Sequence, residues 1–198
     1  MKLDKDFWNN RYLDKDTGWD VGKISQPIKD YINQIDDKSL KIIIPGCGNA
    51  HEAEYLFNNG FTNVFLIDLS PIALKQFADR VPKFPKEQLI CDNFFKHTDE
   101  YDLMIEQTFF CAINPQLRSK YVAHSSKILQ PKGKIIGLLF DAPLNTNKPP
   151  FGGTKKEYQN YEVTLIGLNE WNRFGNIDLE YFEVVDRDTL MKPVGKNK

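Results

Sequence analysis

The segment KIIIPGCGNAHEAEYLF, residues 41–57, joins an apolar strand to a helix through a turn that contains two glycines. Three consecutive isoleucines, followed by a proline and a glycine, predict a buried strand over residues 41–44. A helix is expected over residues 49–59, ended by Gly60. A strand, a glycine turn and a helix in this order are typical of the ligand-binding turn of α/β proteins.

The alternation of apolar strand and helix continues along the chain. Further strands are expected over residues 64–67, 89–91, 103–105 and 134–140. Further helices are expected over residues 4–13, 27–35 and 115–129, and after Ser70–Pro71. Because a parallel crossover is right-handed and usually helical, this rhythm predicts an α/β fold with a doubly wound, mostly parallel sheet. Residues 1–35 would form an N-terminal helical arm that covers the ligand.

The C-terminal part departs from this rhythm. A long loop rich in proline, glycine and asparagine follows Phe140, and loops of this length in compact domains are often functional. Apolar runs at residues 163–168 and 181–185 predict an antiparallel pair of strands. Since 198 residues with an apolar fraction of 41% suit one core, we expect a single domain over residues 1–198.

The composition narrows the classes of function. A formal net charge of −1 and a pI near 6.3 give no signal for a polyanion, so no nucleic-acid partner is expected. Three cysteines, an odd number spread along the chain, favour a reducing compartment, and without a C-x-x-C pair no metal site is expected. With no signal peptide and no run of about 18 apolar residues, we expect a cytoplasmic protein with no membrane partner.

Polar residues stand at the predicted carboxyl ends of the strands, where parallel sheets bind ligands. Gly46 and Gly48 let the backbone approach a ligand closely. Asp68 ends the second strand, twenty residues after Gly48, where a carboxylate can accept hydrogen bonds from both hydroxyls of a ribose. Asp92–Asn93 follow the third strand in reach of an adenine amino group, and Glu106–Gln107 follow the fourth. Together these residues predict a nucleoside site at one edge of the sheet.

Two features distinguish between nucleoside ligands. His51 stands where a dinucleotide-binding turn has its third glycine, which weakens the case for NAD. Trp8, Tyr12 and Trp19 lie in the arm, and Trp8 and Tyr12, four residues apart, share one helix face. Aromatic faces attract a cation by about 0.5–2 kcal/mol, and S-adenosylmethionine carries a sulfonium cation, which NAD lacks. We therefore favour S-adenosylmethionine as the cofactor.

Four segments of the sequence, taken together, are similar to segments of one known protein family. They are WNNRYLDKDTGWDVGKISQPI (8–28), IPGCGNAHE (44–52), FFCAINPQLRSKY (109–121) and NKPPFGG (147–153). In this order and spacing they resemble the thiopurine S-methyltransferase superfamily, and within it the plant-type thiol/halide methyltransferases. The resemblance implies the Rossmann-like fold of class I methyltransferases. It also implies S-adenosylmethionine as cofactor, with S-adenosylhomocysteine as its product.

The resemblance also implies roles for individual residues. The cofactor contacts carried over are Trp8, Tyr12, Trp19, Gly46, Gly48, Asp68, Asp92, Asn93 and Gln107. Tyr12 stands where the family often has tryptophan, and Gln107 where relatives have tyrosine or arginine. Residues 181–198 resemble the family's sixth strand and the loop after it. On this alignment residues 162–178 would be an insertion, and the usual seventh strand would be missing. This arrangement is the alternative to the antiparallel pair of strands expected at residues 163–168 and 181–185.

The implied activity is methyl transfer to a thiol, a halide or a thiopurine. Displacement at the sulfonium methyl depends on alignment and on exclusion of water, which a dry aromatic pocket provides. The residues expected to line such a pocket are Trp19, Phe109, Phe110, Phe151 and Tyr158. No dedicated base is evident, and Asp20 is the candidate for orienting the substrate or taking a proton, with Asp141 also near the expected mouth. Cys111 is interpreted as a structural, buried cysteine.

Other functions stay open at this point. A class I methyltransferase acting on oxygen or nitrogen is the nearest alternative, since there a base matters more. A non-catalytic module that binds S-adenosylmethionine for a partner is another. A dinucleotide oxidoreductase ranks last because of His51. We expect a monomer with a small-molecule methyl acceptor.

Overall fold

The computed structural model describes residues 1–159 and 181–186, and only the backbone at residue 159 and over 181–186. The chain divides into two compact units, Met1–His97 and Thr98–Lys198.

The first unit holds three parallel strands and four helices. The helices are α1 (Lys5–Leu13), α2 (Gln26–Ile32), α3 (His51–Asn58) and α4 (Pro71–Arg80). The strands are β1 (Ile42–Pro45), β2 (Val64–Asp68) and β3 (Leu89–Cys91). β2 pairs in parallel with both of the others, with Ile44 opposite Leu66 and Asp68 opposite Cys91. The carboxyl ends of β1 and β2 therefore lie side by side, which brings the glycine turn next to Asp68.

Burial and capping explain why these segments fold as they do. All four residues of β1 are buried, as in a parallel strand covered on both faces. At the start of α4, Ser70 Oγ accepts the Ala73 N–H at 3.2 Å and Pro71 occupies the first turn. Leu74 and Phe77 of α4 are buried and, with Ala73, form its apolar face.

The described part of the second unit contains three strands and two α-helices. They are β4 (Tyr101–Gln107), α5 (Arg118–Ile128), β5 (Leu129–Leu139), α6 (Lys155–Gln159) and β6 (Tyr181–Asp186). β4 and β5 are parallel, with Met104 opposite Ile135. β6 runs antiparallel to β5, with Val184 opposite Ile136. Met104, Ile105 and Ile136 are fully buried, so the sheet of this unit carries its core.

The expected fold class is confirmed: the protein is a doubly wound, mostly parallel α/β protein with an N-terminal helical arm. Residues 129–133, expected to end a helix, belong instead to β5. There Leu129 pairs with Tyr101, and Lys132 takes a left-handed conformation with a φ of 67° that lets the chain turn within the strand. The strand expected at 181–185 is found as β6, paired with β5. The strand expected at 163–168 lies outside the described residues.

Candidate active site

The turn between β1 and α3 alternates between ordinary and left-handed backbone. Gly46, Gly48 and Ala50 have φ values of 55°, 53° and 50°, a conformation that glycine adopts freely and alanine rarely. A Cβ atom at position 48 would lie 2.7 Å from the hydroxyl oxygen of Tyr12. Glycine is therefore required at position 48 both by its conformation and by the close approach of Tyr12.

Asp68 fixes the shape of this turn. It is the last residue of β2 and is 8% exposed. The Gly48 N–H donates to Oδ2 at 3.0 Å, and the Ser70 N–H donates to Oδ1 at 2.8 Å. Burial raises the pKa of Asp68, and these backbone N–H groups oppose the rise. Each carboxylate oxygen keeps a further lone pair, so a ribose hydroxyl has an acceptor here.

Three aromatic side chains of the arm form one cluster against the glycine turn. The ring of Trp19 meets those of Trp8 and Tyr12 edge to face, with centroids 5.8 Å and 6.1 Å apart. Tyr12 is buried and reaches Gly48, whereas Trp8 and Trp19 are half-buried. The Arg11 guanidinium lies 5.0 Å from the centroid of the Trp19 ring, so the cluster already attracts a cation. The three residues singled out in the arm are thus brought together.

Asp20 and His51 form a pair that the sequence pattern does not reveal. His51 is the first residue of α3, and its Nε2 lies 2.9 Å from Asp20 Oδ1. The Gly22 N–H donates to the same oxygen at 2.8 Å, and the Asn49 side-chain amide donates to the other oxygen. Burial alone would raise the pKa of Asp20, but these hydrogen bonds outweigh it and hold the pKa below its usual value. From the sequence a surface or helix-packing role is expected for His51, because no ligand spacing links it to the other histidines. The structure instead pairs it with Asp20, 31 residues earlier in the chain.

The two residues after β3 order their own turn. Asp92 Oδ1 accepts the Asn93 N–H at 2.6 Å, and Asn93 Oδ1 accepts the Phe95 N–H at 2.9 Å. Asp92 is exposed and Asn93 is half-buried. These are the bonds of turn residues, and the adenine contact expected here stays a prediction.

In the second unit, β4 ends at the pair Glu106–Gln107, which the sequence placed just beyond the strand. The Gln107 side-chain oxygen is buried and, among the described residues, has no hydrogen-bond partner. Glu106 is 2% exposed, and its Oε1 accepts the N–H groups of Phe109 and Phe110, each at 2.8 Å, while Oε2 accepts the Tyr121 hydroxyl at 2.8 Å. Gln107 therefore offers an acceptor to a ligand, and Glu106 caps the turn that follows.

One buried arginine lies beside three of the aromatic residues expected to line an acceptor pocket, Phe110, Phe151 and Tyr158. Phe110 packs edge to face on Tyr158, with centroids 5.7 Å apart, and the Arg118 guanidinium lies 4.8 Å from the Phe110 ring centroid. Arg118 is 2% exposed and is paired with Glu157 at 2.6 Å. The second terminal nitrogen of the Arg118 guanidinium, Nη2, donates to the Gly152 carbonyl at 2.8 Å, next to the buried Phe151.

Sequence reasoning missed Arg118, since nothing in the sequence separates it from a surface arginine at a helix start. Its burial follows from contacts with residues more than thirty positions away along the chain. The side chains of Phe110, Phe151, Tyr158 and Arg118 form a cluster of aromatic rings whose polar groups are this guanidinium, its carboxylate partner and the Tyr158 hydroxyl, which donates to the Phe140 carbonyl at 2.6 Å.

The remaining candidates have structural roles. Cys111 is buried, and burial raises the pKa of its thiol to about 12, which fits a structural cysteine. Asp141 Oδ1 accepts the Lys155 N–H at 2.8 Å at the start of α6. Within the described ranges there is no group of three metal-binding side chains. In that same part of the chain, no helix has the length and hydropathy needed to span a membrane.

The sequence of the chain matches one known protein family. A family model described as thiopurine S-methyltransferase (TPMT) matches residues 3–178. The chain is 24% identical to probable thiol methyltransferase 2 of Arabidopsis thaliana over 191 residues, covering 94% of this chain and 79% of that protein. It is 26% identical to thiocyanate methyltransferase 1 of Brassica oleracea over 167 residues, covering 80% of this chain and 71% of that protein.

The fold has a close counterpart among solved structures. The Burkholderia thailandensis 1,6-didemethyltoxoflavin-N1-methyltransferase, solved with 1,6-didemethyltoxoflavin and S-adenosylhomocysteine, superposes with a TM-score of 0.66 at 14% identity. The match covers 92% of this chain and 84% of that one. From the family match over most of its length, the chain belongs to the thiopurine S-methyltransferase family of S-adenosylmethionine-dependent methyltransferases.

Proposed function

We propose that this methyltransferase acts on a small soft nucleophile, a thiol, a halide or a thiopurine, by in-line displacement in a dry aromatic pocket. The observation that carries the proposal is the aromatic cluster of the arm, which closes on the glycine turn through Tyr12. S-adenosylmethionine supplies an electrophilic methyl group on a sulfonium cation. Electron-rich faces of indoles are the neutral groups in proteins that attract such a cation best.

Each residue proposed to bind the cofactor can be matched to one part of S-adenosylmethionine. Gly46 and Gly48 leave room for the methionine part against the backbone, and Asp68 offers acceptors to the ribose hydroxyls. Trp8, Tyr12 and Trp19 surround the sulfonium. Asp92 and Asn93 would contact the adenine, and the buried, unpartnered oxygen of Gln107 gives a further acceptor.

The acceptor half of the site is assigned to Asp20, Phe110, Phe151 and Tyr158. A thiolate or halide and a sulfonium give neutral products, so charge disappears along the reaction path. Apolar rings that exclude water then favour the transition state over the separated ions. The burial of Phe110, Phe151 and Tyr158, between 2% and 6% exposed, supports this assignment.

A panel of acceptors tests the proposal. The purified chain is incubated with S-adenosylmethionine and an alkyl thiol, iodide, thiocyanate or a thiopurine, and the methylated product is quantified. We expect product with at least one of these acceptors. The same assay is run with an alcohol and an amine, and methylation of these compounds alone would contradict the proposal.

The arm is tested with Trp19→Ala. Loss of one indole face should weaken binding of S-adenosylmethionine up to about 30-fold, the equivalent of about 2 kcal/mol. Phe84→Ala is the control, because Phe84 is 4% exposed and packs on Phe57 and Phe77, which are not among the residues assigned to the cofactor. The control should lower thermal stability while affinity stays within about threefold. An equal loss of affinity in both variants would mean that Trp19 only packs in the hydrophobic core and does not contact the cofactor.

A further inference from the structure

Asp20 and His51 form an acid–base pair at the start of α3. His51 Nε2 lies 2.9 Å from Asp20 Oδ1, and each side chain is 18% exposed. Asp20 also accepts hydrogen bonds from the Gly22 N–H and the Asn49 amide. A carboxylate held by three donors stays ionised and acts as an acceptor only.

The charge of Asp20 determines the tautomer of His51. Because an ionised carboxylate cannot donate, the proton of the neutral imidazole must be on Nε2. Nδ1 then carries a lone pair, and no described residue bonds to it. His51 therefore presents a partly exposed basic nitrogen, with its ring orientation fixed by Asp20, as in the histidine–carboxylate pairs of acyl-transfer enzymes.

The pair adjoins the residues assigned to the cofactor. Asp20 directly follows Trp19, whose ring is part of the cluster proposed to face the sulfonium. His51 comes three residues after Gly48 and starts the helix that leaves the glycine turn. The third-glycine position of a dinucleotide site is thus occupied here by a side chain held toward the arm.

We propose that His51 is the general base that removes the proton of a neutral thiol acceptor, with Asp20 as the residue that positions it. This inference rests on the proposed function and narrows it to thiols, since halide and thiocyanate ions bring no proton. The sulfur–hydrogen bond breaks, and its electron pair forms the new bond from sulfur to the methyl carbon. The carbon–sulfonium bond breaks and returns its pair to the departing thioether, and the proton stays on His51 Nδ1 until solvent removes it.

The ionisable groups around the pair come from four elements. They are Tyr12 of α1, Glu52 of α3, Asp68 at the end of β2, and Arg80 of α4, which donates to the Asn49 carbonyl. Burial raises the pKa of Glu52 and of Tyr12, which disfavours a second negative charge beside the pair. Asp20 is thus the carboxylate in direct contact with the imidazole, and it balances the charge of the protonated ring.

His51→Gln is the informative variant, because the glutamine amide can replace Nε2 as donor to Asp20 but cannot take a proton. At pH 7 only a few per cent of an ordinary thiol is ionised. Loss of the base should therefore lower kcat/KM for an alkyl thiol about 10- to 30-fold at pH 7. The loss should shrink as the pH rises above the pKa of the thiol. With iodide, or with an aromatic thiol acidic enough to be ionised in the assay, the loss should be several-fold smaller than with the alkyl thiol at pH 7, and it should not vary with pH.

The control is His97→Gln, a histidine variant of the same unit outside the proposed site. It should keep the wild-type ratio of rates with the alkyl and the acidic acceptor. An equal loss with all acceptors and at all pH values in His51→Gln, or no loss at all, would overturn the inference. Affinity for S-adenosylmethionine, measured by calorimetry, should stay within about threefold. If the wild type methylates no thiol and no halide, the proposed function itself fails, and the inference fails with it.

Discussion

Asp68 combines a structural and a proposed ligand-binding role in one side chain. Replacing it with alanine removes the acceptor for the N–H groups of Gly48 and Ser70 and the proposed acceptor for the ribose. Loss of the ribose contact should weaken binding of S-adenosylhomocysteine by about 1–3 kcal/mol, roughly 5- to 150-fold. Calorimetry measures the affinity, and thermal unfolding reports the loss of the structural bonds separately.

Ser70→Ala is the matched control for Asp68→Ala. Ser70 Oγ caps α4 through the Ala73 N–H, so its removal should cost about 1 kcal/mol of stability while the carboxylate stays in place. Affinity for the cofactor should therefore stay within about threefold of the wild type. A similar drop in affinity in both variants would show that Asp68 acts through folding of the turn and not through the ribose.

At the level of single residues, the sequence predicts best where a residue's role depends on its immediate neighbours. Asp68 is recognisable because it ends a strand, and Gly48 because it lies in the turn that follows one, so the backbone alone places both. The bond between His51 and Asp20 is not predictable in this way, since it joins an arm loop to a helix start 31 residues later. Arg118 is missed for the same reason, because its partners Glu157 and Gly152 lie 39 and 34 residues away.

At the level of elements, Glu106 controls the turn between β4 and α5. Burial raises the pKa of this carboxyl from 4.5 to about 7, although hydrogen bonds from Phe110, Tyr121 and Phe109 oppose the rise. The folded protein therefore holds this proton more tightly than the unfolded chain. Its contribution to the free energy of unfolding is complete below about pH 4.5 and is lost as the pH rises through about 7.

Glu106→Gln should remove this pH dependence. The glutamine oxygen can accept both backbone N–H groups, and its amide can donate to the Tyr121 hydroxyl. The free energy of unfolding of the wild type relative to the variant should therefore fall by about 3 kcal/mol between pH 4.5 and 8. Urea unfolding of both proteins at several pH values measures this difference. Because all other titratable groups are the same in the two proteins, their contributions cancel when the free energies of unfolding are subtracted. A difference that does not change with pH would contradict the assignment.

Element boundaries follow local chemistry where that chemistry is strong. Ser70–Pro71 starts α4 as expected, and β3 occupies the expected residues because its apolar run is short and sharply bounded. β4 is two residues longer at each end than expected, since pairing with β5 extends a strand past its apolar centre. α5 begins at Arg118 because Asn114 Oδ1 caps a separate 3₁₀ turn, Pro115–Leu117, before it.

At the level of the whole molecule, the single domain expected from the sequence predicts one cooperative unfolding transition that the cofactor shifts as a unit. At a concentration 100 times its Kd, S-adenosylhomocysteine should stabilise the folded chain by about 2.7 kcal/mol. For a chain of this length each kcal/mol corresponds to roughly 2–4 °C, so the melting temperature should rise by about 5–10 °C. Scanning calorimetry with and without the ligand measures both the number of transitions and the shift.

Two comparisons make this result specific. NADH at the same concentration should leave the melting temperature unchanged, because His51 replaces the third glycine of a dinucleotide turn. Trp19→Ala should retain the single transition but show a smaller shift at the same ligand concentration, since its weaker affinity leaves less ligand bound to the folded state. Two transitions, of which only one moves with ligand, would contradict the single domain and would mean that the units Met1–His97 and Thr98–Lys198 unfold independently.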